Sequence, residues 1–219
     1  MIVPEWGAPA TVAALCTTRE DSEDGIPAAL AIDNVALPNI TQVHGRKVVQ
    51  AEALAEPVEA DAVISATPGL ACRVVTADCL PILLSNRSGN EVAAIHAGWR
   101  GLAADIVEAT IEAMESDSRD LVAWLGPAIS QAHFEVGHDV YDAFVTSPGD
   151  RAAADLFLPR GDKFFADLPG LARLRLARLG VGAVDGGSWC TYADARRFHS
   201  WRRDGAAAGR LVSVVCLRP

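Results

Sequence analysis

The chain has 219 residues, half of them hydrophobic and 21% charged, a balance that suits one globular domain with a real core and excludes a disordered polymer. A formal net charge of −9, with a pI of about 5.0, argues against a general nucleic-acid or anionic-membrane surface, while a local basic pocket for a small anion stays compatible with it. No stretch approaches the roughly 18 uninterrupted apolar residues of a membrane helix, and the start Met1-Ile2-Val3-Pro4-Glu5-Trp6 has neither the charged nor the long apolar region of a signal peptide, so a cytoplasmic protein is expected.

In chain order, β-branched-rich runs bounded by Gly, Pro, Asn or Asp predict strands over residues 11–17, 46–51, 61–66, 70–76, 81–85, 91–97, 121–125 and 211–217. The run Asn86-Arg87-Ser88-Gly89-Asn90 between two of them reads as a hairpin turn. Helices are fewer. Residues 101–115 set Leu102, Ile106, Ala109 and Ala113 on one face and Glu108, Glu112 and Glu115 on another. Residues 139–146 form a second candidate. Residues 167–179 form a third, stopped by Gly180. Strands outnumber helices and do not alternate with them, which favours an α+β arrangement with mixed β-sheets over a doubly wound fold. We find no repeat, low-complexity tract or linker, so residues 1–219 are expected to form a single domain.

Five cysteines, at positions 16, 72, 79, 190 and 216, are odd in number and contain no Cys-x-x-Cys pair. A disulfide framework is not expected, and a thiolate ligand or nucleophile is allowed. Cys79 ends the segment Thr76-Ala77-Asp78-Cys79. His44 stands in Gln42-Val43-His44-Gly45, and His96 closes the run before Ala97-Gly98-Trp99-Arg100-Gly101. Each follows or ends an apolar strand-like run and is flanked by small or turn-forming residues. A His/Cys/His set is a borderline-soft N₂S donor set that suits Zn²⁺, and three protein ligands leave a fourth position for water or substrate. Taken singly, Cys79 reads equally well as a buried small hydrophobe, and His96 as a satisfied core residue. Gly98 lets the backbone turn and approach a ligand closely. The helix start beyond it, with Arg100, offers donors to a phosphate or carboxylate, or Arg100 makes a surface ion pair. Asp78 is the nearest carboxylate in sequence for general acid or base work, or else it faces away from Cys79 and plays a supporting part. His133 and His138, five apart, lack a common zinc spacing and read as structural; His199 reads as a surface residue. The Trp/Arg-rich stretch 190–205 walls a substrate pocket or forms an ordinary buried tail.

The segments Gln-Val-His-Gly (42–45), Thr-Ala-Asp-Cys-Leu-Pro-Ile-Leu (76–83), Ala-Ile-His-Ala-Gly-Trp-Arg-Gly-Leu (94–102), Trp-Leu-Gly-Pro-Ala-Ile (124–129), Phe-Glu-Val-Gly (134–137), Cys-Thr-Tyr (190–192) and Trp-Arg-Arg-Asp-Gly (201–205) together resemble the YfiH-type laccase-domain family. The resemblance implies a layered α-β-β-α sandwich, metal ligation by His44, Cys79 and His96, and a monomer or small homo-oligomer. It further implies phosphorolysis of adenosine, inosine, guanosine and methylthioadenosine with adenosine deamination, so that the partners are a purine nucleoside and phosphate. An older family label, copper polyphenol oxidase, implies Cu²⁺ as the alternative metal, although one His/Cys/His set cannot build several copper centres. Arg19 in Cys16-Thr17-Thr18-Arg19 matches the family's Thr-Thr-Arg. The Asn-Leu-Gly and Glu-Asn-Arg elements of the family have no counterpart between Glu20 and Thr41, so the region before residue 42 is shortened, and Arg19, Arg46 or Lys47 is left to replace a missing substrate arginine. Two other readings stand beside this one: a metal-free cysteine hydrolase of an amide such as a peptidoglycan precursor, with Cys79 as nucleophile and His96 as base, and a family member kept for binding alone.

Overall fold

A computed structural model of the protein describes residues 1–145 and 151–219. The apolar runs pair into two stacked sheets. The larger has six strands in the spatial order Ala183–Gly186, Leu121–Leu125, Leu80–Asn86, Val92–Ala97, Ala62–Ser65 and Val48–Gln50. Its two outermost pairings are parallel and the inner three antiparallel, so the sheet is mixed. The smaller is antiparallel, with Leu211–Leu217 between Val12–Cys16 and Cys72–Thr76.

Alternation along the strands sorts side chains into layers. From the six-stranded sheet, Ile82, Leu84, Ala93, Ile95, Ala123 and Leu125 face one way, onto Leu102, Ile106, Val107, Leu171 and Leu176 of the helices Trp99–Ala103, Ile106–Ala113 and Leu168–Arg178. Val63, Leu83, Val92, Ala94 and Trp124 face the other way, onto Cys16, Cys72, Val74, Leu211 and Val215 of the smaller sheet. The far side of that sheet, through Leu15, Val212 and Val214, is covered by Ile26 and Leu30 of the short helix Ile26–Leu30. The result is the expected α-β-β-α sandwich. Strands such as Leu80–Asn86 and Leu211–Leu217 are buried along their whole length, because each is covered on both faces.

All eight predicted strands are present: five are shorter than expected, that over 81–85 lengthens to Leu80–Asn86, and Leu121–Leu125 and Leu211–Leu217 match. The edge strand Ala183–Gly186 and a small sheet of Glu135–Val136, Lys163–Ala166 and Phe157–Arg160 were not legible as strands. The expected helix over 101–115 is two helices. Asp105 takes left-handed backbone (φ 65°) between them, as Asp does more readily than most residues. Its carboxylate pairs with Arg175 of Leu168–Arg178, which also meets Glu108 at 2.8 Å. That third helix is capped by Asp167, which accepts from Gly170 N at 2.9 Å. The second candidate is the helix His138–Phe144; position 146 of the expected span lies outside the described residues.

Candidate metal centre and active site

One end of the six-stranded sheet brings the three predicted ligands together. Val92–Ala97 runs antiparallel to its neighbours, so its last turn, with His96, lies beside the start of Leu80–Asn86, preceded by Cys79, and the start of Ala62–Ser65, preceded by Asp61. The loop carrying His44 leads into Val48–Gln50 at the same end. The donor atoms of His44, Cys79 and His96 all lie within 4.8 Å of one another, and among the described residues they form the one such group able to hold a metal. Cys79 Sγ is 3.8 Å from His44 Nε2, and the two imidazole rings meet edge to face with centroids 4.7 Å apart. A tetrahedral zinc with Zn–S near ~2.3 Å and Zn–N near ~2.05 Å would put sulfur and nitrogen about 3.6 Å apart. The Cys79–His44 spacing is therefore close to what a shared metal needs.

Asp61 organises this end of the sheet. Its carboxylate is wholly buried. Oδ1 accepts from His44 N at 2.9 Å and from His96 Nδ1 at 2.7 Å. Oδ2 accepts from Gly45 N at 2.6 Å and Val43 N at 3.3 Å. An ionised carboxylate can only accept, so Nδ1 of His96 carries a proton and Nε2 is the nitrogen that would ligate a metal. Sequence reading passed over Asp61. The available signal was an acidic residue opening an apolar strand.

The electrostatics follow from these contacts. Burial pushes the Cys79 thiol up, but His44 and His96 beside it outweigh burial and bring it down to about 7. Burial pushes His96 down, while Asp61 and Cys79 raise it, to about 9. Burial raises Asp61, and its bonds from His96, Gly45 and His44 overcome this and hold it below the usual carboxylate range.

Two of the five described non-glycine residues with left-handed backbone belong to this site: His44 (φ 60°) and Asp78 (φ 85°). Such strain persists where surrounding contacts over-determine it. Asp61 does this for His44. For Asp78 the carboxylate itself does so: Oδ1 accepts from Thr191 Oγ1 at 2.6 Å, and Oδ2 accepts from Arg202 N at 2.6 Å and Ser200 Oγ at 3.0 Å. Gly98 leaves little room for a side chain: a Cβ there would lie 3.0 Å from both Cys79 Sγ and His44 Cδ2, so these two ligands would have to shift by a few tenths of an ångström.

A cleft of about 590 Å³ opens over the trio, a volume typical of small-molecule sites. Trp99, Phe134 and Trp201 supply aromatic faces, and Arg100, Arg202 and Arg210 supply charge. Arg100 stacks 4.4 Å over Trp99, at the start of a helix of five residues. Other sequence candidates fall elsewhere. Arg19 points to Ala195 O (3.1 Å) and Asp204 and does not line the cleft; Arg46 is exposed and does not line it either. Of the acidic residues in the family-like segments and beside them, Glu135 pairs with Lys163 and Arg160 and Asp194 with Arg197, whereas Asp78 lines the cleft. His133 stacks on Tyr192 and His138 meets Phe164 edge to face, and His199 is half-buried, accepting from Gly209 N.

The model of the family described as multi-copper polyphenol oxidoreductase laccase matches residues 20–218. The chain belongs to this family, that of the YfiH-type laccase-domain proteins. A Pseudomonas aeruginosa protein named purine nucleoside phosphorylase is 42% identical, over 99% of this chain and 98% of its own. The Escherichia coli protein named purine nucleoside phosphorylase YfiH is 40% identical over the same shares of the two chains. A crystal structure of a Neisseria meningitidis protein (NMB0706) superposes with a TM-score of 0.88 at 40% identity, covering 100% of this chain and 99% of that one. Among the described residues, no helix is long and apolar enough to cross a membrane.

Proposed function

We propose that the protein is a metal-dependent purine nucleoside phosphorylase with adenosine deaminase side activity, and that its metal is zinc. The observation that carries this reading is the convergence of His44, Cys79 and His96 in one cleft whose walls hold both flat aromatic faces and guanidinium groups. A purine ring calls for the first and phosphate for the second. The related proteins named purine nucleoside phosphorylase support it. Adenosine, inosine, guanosine and methylthioadenosine are the proposed substrates.

In the net reaction an oxygen of dihydrogen phosphate bonds to the sugar C1′ as the C1′–N9 bond breaks. The bonding pair leaves with the purine, which takes the proton that phosphate gives up. Held by the trio, a metal would supply Lewis acidity and, for deamination, a bound water of lowered pKa. The chain's own residues do the rest. Asp61 fixes the His96 tautomer, the thiol of Cys79 is poised to ionise, and Gly98 keeps the approach open. Trp99, Phe134 and Trp201 offer stacking surfaces, and Arg100 adds positive charge. Asp78 acts as a positioning residue, because both its oxygens are already engaged as acceptors.

The test is paired: metal content of the purified protein, then inosine and adenosine turnover with and without phosphate. Near-stoichiometric zinc, lost in Cys79→Ala, with hypoxanthine released from inosine only when phosphate is present, is expected. Absence of bound metal would overturn the reading.

One observation favours a second reading. Cys79, His96 and Asp61 stand in the order of a nucleophile, a base and an orienting carboxylate, the layout of a cysteine hydrolase of amides such as a cell-wall precursor. Alkylation separates the two: a thiolate held by zinc resists iodoacetamide until a chelator is added, whereas a free nucleophile reacts at once. Copper, the metal in the family's description, is tested by loading the protein with Cu²⁺ and assaying phenol oxidation.

A further inference from the structure

We propose that Arg202 and Arg210 form an oxyanion subsite within the cleft that binds the inorganic phosphate consumed in the reaction, and that Asp78 positions it; the identity of the ligand rests on the phosphorylase reading above. Both arginines line the cleft that contains the trio. In a protein of net charge −9, neither has a carboxylate at ion-pair distance among the described residues. Their contacts instead leave donors free. Arg202 Nη1 donates to the carbonyls of Glu135 at 3.1 Å and His133 at 3.5 Å, which fixes the guanidinium plane. Its Nε and Nη2 have no partner among the described residues, and that edge is the fork that grips two oxygens of an oxyanion. Arg210 Nη1 donates to the carbonyls of Ala208 and Gly209, both at 3.1 Å, and its guanidinium stands 5.6 Å over the Trp201 ring. Glu135, the acid that feels Arg202, is itself engaged by Lys163 at 2.8 Å and Arg160 at 3.3 Å, so it leaves the charge of Arg202 largely available.

Asp78 sets where Arg202 stands, and Arg210 follows through the neighbouring Trp201 ring. Its Oδ2 takes Arg202 N and Ser200 Oγ, its Oδ1 takes Thr191 Oγ1, and its backbone leads directly into Cys79. One buried carboxylate therefore joins the oxyanion wall to a metal ligand, which fixes the nucleophilic phosphate relative to the reacting centre. Arg202 and Arg210 also occupy the role that the sequence left to Arg19, Arg46 or Lys47.

The experiment uses the zinc-loaded protein and inorganic phosphate, measured by titration calorimetry and as the KM for phosphate in inosine turnover. Arg210→Met and Arg202→Lys, the latter keeping the charge but losing the fork, are each expected to weaken phosphate binding about 10-fold or more, with zinc content and inosine KM within about 2-fold of the parent. Asp78→Asn is expected to raise the phosphate KM similarly while inosine KM holds, a split that general loosening of the fold would not give. Arg46→Met, outside the cleft, is expected to change nothing. The proposal is overturned if the parent protein shows no saturable phosphate binding, or if the loss follows Arg46→Met or Cys79→Ala but neither wall variant. Should phosphate bind and the wall variants lose it while no nucleoside is turned over, the subsite stands and the phosphorylase reading falls.

Discussion

Replacing Asp61 with Asn changes one oxygen to an amide nitrogen and tests the positioning of both histidines. Each carboxylate oxygen accepts two N–H groups: Oδ1 from His44 N and His96 Nδ1, Oδ2 from Gly45 N and Val43 N. Whichever way the Asn amide is turned, its NH₂ faces two donors, so one half of the arrangement is lost. Bonds to a charged acceptor contribute about 1.5–3 kcal/mol each, and a buried donor left unpaired costs about 1–3 kcal/mol. Partial relaxation of the exposed loop around His44 discounts this to about 2–4 kcal/mol. For a chain of this size that corresponds to a fall in Tm of roughly 5–15 °C. Zinc affinity should fall about 10–100-fold, read by chelator competition on folded protein, and the visible spectrum of the Co²⁺-substituted form should shift. Acid stability gives a further check. The folded-state pKa of Asp61 lies below the ordinary carboxylate value. Its contribution is therefore present at neutral pH and lost as pH falls through the unfolded and then the folded pKa. Asp61→Asn should flatten that acid limb. A variant with parental zinc affinity, and a Tm within about 2 °C of the parent, would refute the positioning role.

In the metal-free protein, iodoacetamide should react with Cys79 with a midpoint near pH 7, following its lowered pKa. The rate rises with pH because only the thiolate attacks, and a midpoint at the ordinary thiol value would contradict the His44 and His96 contacts. The buried thiols Cys16 and Cys216, pushed up to about 11 by burial, should stay silent in the same assay. Gly98→Ala should weaken zinc binding by about 10-fold or more, since its Cβ would sit 3.0 Å from Cys79 Sγ. The Tm of its metal-free form should hardly move, because Gly98 has φ −65° and carries no left-handed strain. Gly45→Ala serves as its control: a Cβ there makes only ordinary contact, 3.5 Å from Asp61 Oδ2, and zinc affinity should hold.

The strands were legible because burial on both faces leaves long β-branched runs such as Leu211–Leu217, which no helical period interrupts. The ligands were legible for a related reason: each sits where such a run stops, at the end of the sheet. What escaped detection depends on contacts distant in sequence. Ala183–Gly186 is short and ends in glycine, and it becomes a strand through parallel pairing with Leu121–Leu125. The break at Asp105 depends on Arg175, 70 residues away. Asp61 belongs to the site through a fold that lays the start of Ala62–Ser65 beside the end of Val92–Ala97, which no local pattern encodes. The basic character of stretch 190–205 was visible, but its place in the cleft depends on Asp78 reaching Thr191, Ser200 and Arg202, from 113 to 124 positions distant.

Two buried aspartates thus hold the site in complementary ways. Asp61 gathers the backbone around His44 and the ring of His96; Asp78 fixes the turn before Cys79 and draws in the Trp201–Arg202 segment. Both turns include a left-handed residue that would relax if its carboxylate were removed. Because these bonds are made by protein groups alone, the ligand geometry is in place before any metal arrives. The sandwich core beneath is assembled from apolar side chains of the strands and helices. A metal held by the trio would therefore complete a preorganised site, in contrast to small zinc modules whose fold appears only with the ion. The same preorganisation explains why one trio supports both a metal reading and a thiol-nucleophile reading: Asp61 orients His96 towards Cys79 whether the species between them is a proton or a metal ion.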